Sequence, residues 1–135
     1  MKSNLFGVLA VGAGLFVATV PMLAHHSFSA EYDRAKTVEL KGTVTKVEWM
    51  NPHARFYVDV KDETSKVTNW EFELGSPNGL MRQGWTKNSL KEGDVVQVNG
   101  SRAKDGSNLV NASTVMLANG KKVFAGSSAE DPATK

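Results

Sequence analysis

The chain has 135 residues, sixteen basic against fourteen acidic side chains, three histidines and no cysteine. That length holds one ordinary domain and excludes a TIM barrel or a dinucleotide-binding fold joined to a substrate domain. The absence of cysteine excludes disulfide scaffolds, thiolate zinc sites, iron–sulfur clusters and a cysteine-linked lipid anchor, and the near balance of charge argues against a partner that is nucleic acid.

Lys2 precedes an uncharged run from Leu5 to Val20, which Pro21 breaks and Met22-Leu23-Ala24 follows. A basic start, a short apolar stretch and a small residue before the cut form the layout of a secretory signal peptide. The run is shorter than the ~20 apolar residues that cross a bilayer, so cleavage is expected rather than anchoring. The expectation is a signal peptide over residues 1–24, with a cut after Ala30 as the alternative. The mature chain is then near neutral, periplasmic or secreted, and without a membrane segment.

Residues 25–36 show no clean period and read as an N-terminal arm with a short turn at Ala30-Glu31-Tyr32. From residue 37 to 125 strand signals dominate. Val38, Leu40 and Val44 share one parity, and Val47 and Trp49 share the other. The slip between them, near Thr45-Lys46, predicts a β-bulge in a long strand. Asn51-Pro52 ends that strand. Ala54, Phe56, Val58 and Val60 alternate with Arg55, Tyr57, Asp59 and Lys61, as in a half-buried strand. The polar turn 62–65 leads to a returning strand over Val67 to Leu74, completing a hairpin. Trp70, Phe72 and Leu74 face one way in it, and Asn69, Glu71 and Glu73 face the other, as a solvent side.

Ser76-Pro77 predicts a short capped helix that Gly84 stops. Trp85 is expected to cover one end of the sheet. Val96 and Val98 open another strand, and Leu109 to Leu117 is the next. Asn119-Gly120 signals a hairpin that returns through Phe124. Residues 126–135 read as a disordered polar tail. The order predicts a mainly β fold: an OB-like barrel of five to six strands with one short helix between the third and fourth. Another small barrel or sandwich with one helix is the alternative.

Several elements carry a family resemblance. They are His25-His26-Ser27-Phe28 with Tyr32-Asp33, Gly42-Thr43-Val44, Trp49-Met50-Asn51-Pro52-His53, Trp70-Glu71, Gly84-Trp85, Gly93-Asp94 and Asp105-Gly106. Through them the chain resembles a family of small exported bacterial proteins known as domain of unknown function 6152. The resemblance runs from His25 to about Gly120, and its His-His-Ser-Phe and Asn-Pro-His elements are the most specific. It implies export and a compact β-domain, and it implies no activity. In strand order alone the chain is also similar to exported bacterial OB-fold proteins linked to stress tolerance, a likeness that licenses no function.

All three histidines lie in those two specific elements. If the cut follows Ala24, His25 becomes the N-terminal residue. Its α-amine, with a pKa of about 7.7–8.0, and its ring nitrogen can then close one chelate ring on a metal. A second imidazole would complete a three-nitrogen site that favours copper(II). His53 is the expected second imidazole and His26 the reserve, with Met50 a weak candidate for Cu(I). Zinc would need a further ligand such as Asp33 or Glu48. Equally, the histidines could be solvated or structural, with His53 packed on Trp49 or Tyr57.

Tyr57, Trp49 and Trp85 are candidate ligand-binding aromatics on the sheet. No residue pattern supports a nucleophile, a carboxylate pair or a phosphate-binding loop. The leading expectation is a small exported binding protein, not an enzyme, that takes copper through His25 and His53 for metal handling or delivery. A metal-free accessory module that binds an envelope carbohydrate, a small molecule or a partner protein is the second. A small copper-dependent oxidative enzyme is the third.

Overall fold

The computed structural model describes residues 28–126. The expected signal peptide, His25, His26 and tail residues 127–135 lie outside the described residues. A single helical turn, α1 (Phe28–Glu31), runs directly into β1 (Tyr32–Glu48). There follow β2 (Arg55–Lys61), β3 (Val67–Glu73), the helix α2 (Pro77–Arg82), β4 (Val95–Ala103), β5 (Leu109–Met116) and β6 (Lys122–Phe124). The fold is mainly β. No helix among the described residues is long and apolar enough to cross a membrane.

All six strands belong to one sheet, ordered β3-β2-β1-β4-β5-β6, with each consecutive pair antiparallel. A further pairing joins β3 to β5 in parallel, from Glu71 opposite Leu109 to Glu73 opposite Asn111. The β1 bulge lies where the phase slip predicted it. Val44 pairs with Val58, and the register then moves so that Lys46 pairs with Tyr57 and Val47 with Phe56. The extra residue, Thr45, resets the parity, so that both Val44 and Val47 turn to the core although they differ in parity.

The strand begins earlier than expected. Tyr32 already pairs with Ala103, and the backbone N–H of Lys104 donates to Glu31 O. Residues 33–36 then stand against Arg102 alone before pairing resumes at Thr37 and Ser101. That irregular stretch is solvent-exposed over Arg34 to Thr37 and has no apolar period, so it reads as an arm in the sequence. The tail begins later than expected, because Ala125 and Gly126 are buried and the N–H of Gly75 donates to Ala125 O.

The core is built from the alternating positions. Phe56 and Phe72 are fully buried and stack at 5.1 Å between ring centroids. Val58, Leu74, Val96, Val98, Val110 and Val115 surround them. Burying each of these side chains is worth roughly 1.5–3 kcal/mol, which drives the fold. The helix α2 starts as the sequence predicts: the Ser76 hydroxyl accepts from the Gly79 N–H, and Pro77 sits in the first turn. Its Leu80 enters the core, and the chain leaves the helix through Gly84 in the left-handed region. Trp85 is only 2 % exposed, and its indole N–H donates to Phe124 O at 2.8 Å.

Candidate functional site

The face of β2 and β3 opposite the core is polar because the strands alternate. Arg55 stands opposite Glu73, Tyr57 opposite Glu71 and Asp59 opposite Asn69. The parallel pairing places Asn111 beside Glu73. His53, two residues before Arg55, follows the cis Asn51-Pro52 bond.

These residues form one network around Glu73. His53 Nδ1 lies 3.1 Å from Glu73 Oε1. Arg55 Nη2 donates to Glu73 Oε2 at 3.2 Å, while its Nη1 donates to Glu71 Oε1. Asn111 Nδ2 donates to Glu73 Oε1 at 3.4 Å. Among the described residues Glu73 is the one charged side chain in the buried interior. Burial alone would raise its carboxyl. The hydrogen bond from His53, with the charges of His53 and Arg55, outweighs that and holds it below the ordinary glutamate range.

Tyr32 reaches the same carboxylate from the start of β1. Its hydroxyl is buried with no partner at hydrogen-bonding geometry. Burial, followed by the negative charge of Glu73, pushes the phenol far above its ordinary value. The Tyr32 ring in turn lies 5.4 Å from the ring of Phe28, over which the Arg34 guanidinium sits. Further along the polar face, the Tyr57 hydroxyl donates to Glu48 at 3.2 Å, and Lys46 bonds the other oxygen of Glu48 at 2.5 Å.

The expected site residues therefore separate. His53 is held by the network through Glu73. Tyr57 is half-buried on the polar face, as its parity predicted. Trp49 packs against the core, and Trp85 is buried within it, so the three aromatics form no common platform. Trp85 is aligned instead by its bond to Phe124 O. Glu73 corrects the expectation of a solvent-facing carboxylate, because the β3–β5 pairing covers it from the second side. Glu48 is engaged by Lys46 and Tyr57, and Asp33 accepts from the Ala35 N–H. Met50 is 55 % exposed. Among the described residues no group of three or more His, Asp or Glu side chains could hold a metal ion.

Arg55, Glu73, Asn111 and Tyr32 escaped sequence reasoning as a group. One signal was present: pairing the facing ends of the two predicted strands, Lys61 with Val67, sets Arg55 opposite Glu73. The contributions of Asn111 and Tyr32 depend on strands distant in the chain and left no local mark.

A family model for DUF6152, a family of unknown function, matches residues 13–111. That span includes every member of the Glu73 network. No curated protein matches the chain.

Proposed function

Since this chain belongs to DUF6152, a family whose function is unknown, we propose its function from its own side chains: a small exported binding module, shaped as an OB-like β-barrel, that holds a Cu(II) ion between its mature N-terminus and His53. Two features support the barrel. The pairings run in a ring from β3 through β2, β1, β4 and β5 back to β3, and α2 lies between β3 and β4. Export rests on the basic, apolar and small-residue layout of residues 1–24.

The observation that carries the metal reading is the fastening of the N-terminal segment to the His53 network. Phe28 lies against Tyr32, Tyr32 stands beside Glu73, and Glu73 bonds His53. His25 stands three positions before Phe28, and three residues of extended chain span roughly 10 Å. In this reading that length of chain brings the α-amine and ring of His25 to the His53 imidazole, and His26 is the reserve ligand. With His53 neutral, as a metal ligand must be, the two carboxylates and the Arg55 guanidinium leave one negative charge there, which favours a cation. The role is metal handling or delivery in the cell envelope, with an envelope protein as recipient.

Copper titration of processed protein, checked by intact mass, tests this beside a form with one methionine added before His25. Submicromolar binding confined to the processed form, and lost in His53→Ala, is the expected result. Equal or negligible binding in both forms overturns it. A second reading rests on Tyr57, half-buried on the polar face beside Glu48 and Lys46. There the protein is a metal-free accessory module that binds an envelope carbohydrate, a small molecule or a partner protein, and Tyr57→Ala weakens that binding.

A further inference from the structure

We infer that the end of the sheet where α2 meets β6 is a docking surface for an anionic phospholipid bilayer. From Leu74 to Leu90 and from Gly106 to Gly126 the chain carries Arg82, Lys87, Lys121 and Lys122 and no acidic residue. Elsewhere in the described chain acidic residues outnumber basic ones. All four cations are exposed, and none makes an ion pair among the described residues.

The fold stitches these two segments together. The Trp85 indole N–H donates to Phe124 O at 2.8 Å, and the Gly75 N–H donates to Ala125 O at 3.0 Å. A Cβ on Gly126 would stand 2.9 Å from Gln83 Nε2 and 3.0 Å from Phe124 Cε1, so the residue after Arg82 and the ring of Phe124 flank one point. Strand alternation sets the outer face of β5 and β6. Val115 and Val123 turn to the core, while Met116, opposite Lys122, and Phe124 turn outward. Met81 of α2 adds a third exposed apolar side chain beside Arg82.

The mixture of side chains selects the occupant. The centre of a protein–protein interface is depleted in lysine. Here a lysine stands directly across from Met116 and two residues before Phe124, on their own face. A bilayer surface takes that mixture. Apolar side chains enter the boundary between headgroups and acyl chains, and the long stems of lysine and arginine carry their charges to the phosphates. The surface shares no residue with the Glu73 network or with Tyr57, so it stands independently of the copper reading.

Sedimentation with vesicles tests the inference. Processed protein is used, since the apolar run from Leu5 to Val20 would enter lipid by itself. Vesicles of phosphatidylglycerol and phosphatidylcholine in equal parts should carry the protein down, and vesicles of phosphatidylcholine alone should not. Raising salt from about 0.1 M to about 1 M, which cuts the screening length from about 10 Å to about 3 Å, should release it. One cation at an anionic surface contributes about fivefold in affinity, so Lys121→Ala with Lys122→Ala should weaken binding about twentyfold. Removing the same charge from the β2–β3 hairpin, in Lys61→Ala with Lys66→Ala, should change it less than about twofold. Phe124→Ala should weaken binding without changing its salt dependence. Circular dichroism verifies that each variant is folded. Equal losses in the two lysine pairs overturn the surface, because net charge alone would then attract the protein. Equal sedimentation with neutral vesicles, or none with anionic ones, also overturns it. Retention on polyglutamate without sedimentation identifies an acidic protein as the occupant and overturns the lipid assignment.

Discussion

His53 Nδ1 and Glu73 Oε1 lie 3.1 Å apart, and the register of the β2–β3 hairpin is what brings them together. With Arg55 set opposite Glu73, the residue two places before Arg55 falls on the same face of the sheet. One carboxylate thus accepts from side chains of three different segments: the loop before β2, β2 itself and β5.

Removing that acceptor should cost far more than removing its neighbour. Glu73→Ala leaves Arg55, His53 and Asn111 without their shared partner. The Glu73 side chain is 7 % exposed and Arg55 39 %, so the expected loss is at the low end of the range for a broken buried pair, about 3 kcal/mol. Glu71→Ala removes a more exposed partner and should cost less than about 1 kcal/mol. Urea denaturation of the two variants measures the difference, and equal losses would contradict the central place of Glu73.

The two tyrosines of the chain should resist ionisation while it is folded. Burial, then the charge of Glu73, raises Tyr32, and burial, then the charge of Glu71, raises Tyr57. A phenol raised by folding contributes stability in full below its unfolded pKa of about 10, and that stability falls as pH climbs further, because the unfolded chain ionises first. Ultraviolet titration should therefore show phenolate appearing later in folded protein than in urea-unfolded protein. Coincident curves would place both hydroxyls in open solvent.

Two glycines should prove intolerant of a methyl group. A Cβ on Gly42 would stand 2.1 Å from Asp59 O, and one on Gly100 would stand 2.2 Å from Asn111 O. Both obstacles are backbone and cannot turn aside. Gly42→Ala and Gly100→Ala are expected to destabilise by at least about 3 kcal/mol. Gly106 has a positive φ but open space around it, so Gly106→Ala should cost about 1–2 kcal/mol. Thermal or urea unfolding ranks the three.

Trp85 should matter for stability rather than for ligand affinity. Trp85→Phe keeps most of the apolar contact and removes the donor to Phe124 O. A loss of about 1–2 kcal/mol is expected. Hydrogen exchange should quicken at the Ala125 amide, which bonds Ser113 O beside it. Unchanged exchange there would show that the indole bond does not secure β6.

Local chemistry made much of the fold legible. The bulge at Thr45 appears in the sequence as a change of parity, since apolar residues must reach the core from both sides of it. The Ser76 cap and Pro77 announce α2, and residues 62–65 announce the hairpin, because cap and turn chemistry acts within a few residues. The early start of β1 was hidden, since residues 33–36 are bulged and solvent-facing and carry no pattern.

The sequence by itself determined the alternation that sends Phe56, Val58 and Phe72 inward and Arg55, Tyr57 and Glu71 outward, and it singled out His53. Only the tertiary structure decided that Glu73 would be buried. Its position on an outward parity predicted solvent on that side, and parity knows nothing of a strand arriving from elsewhere. The parallel β3–β5 pairing brings Asn111 across, and the start of β1 brings Tyr32. Both come from residues about forty positions away along the chain, so their meeting is a property of sheet topology and of no local pattern.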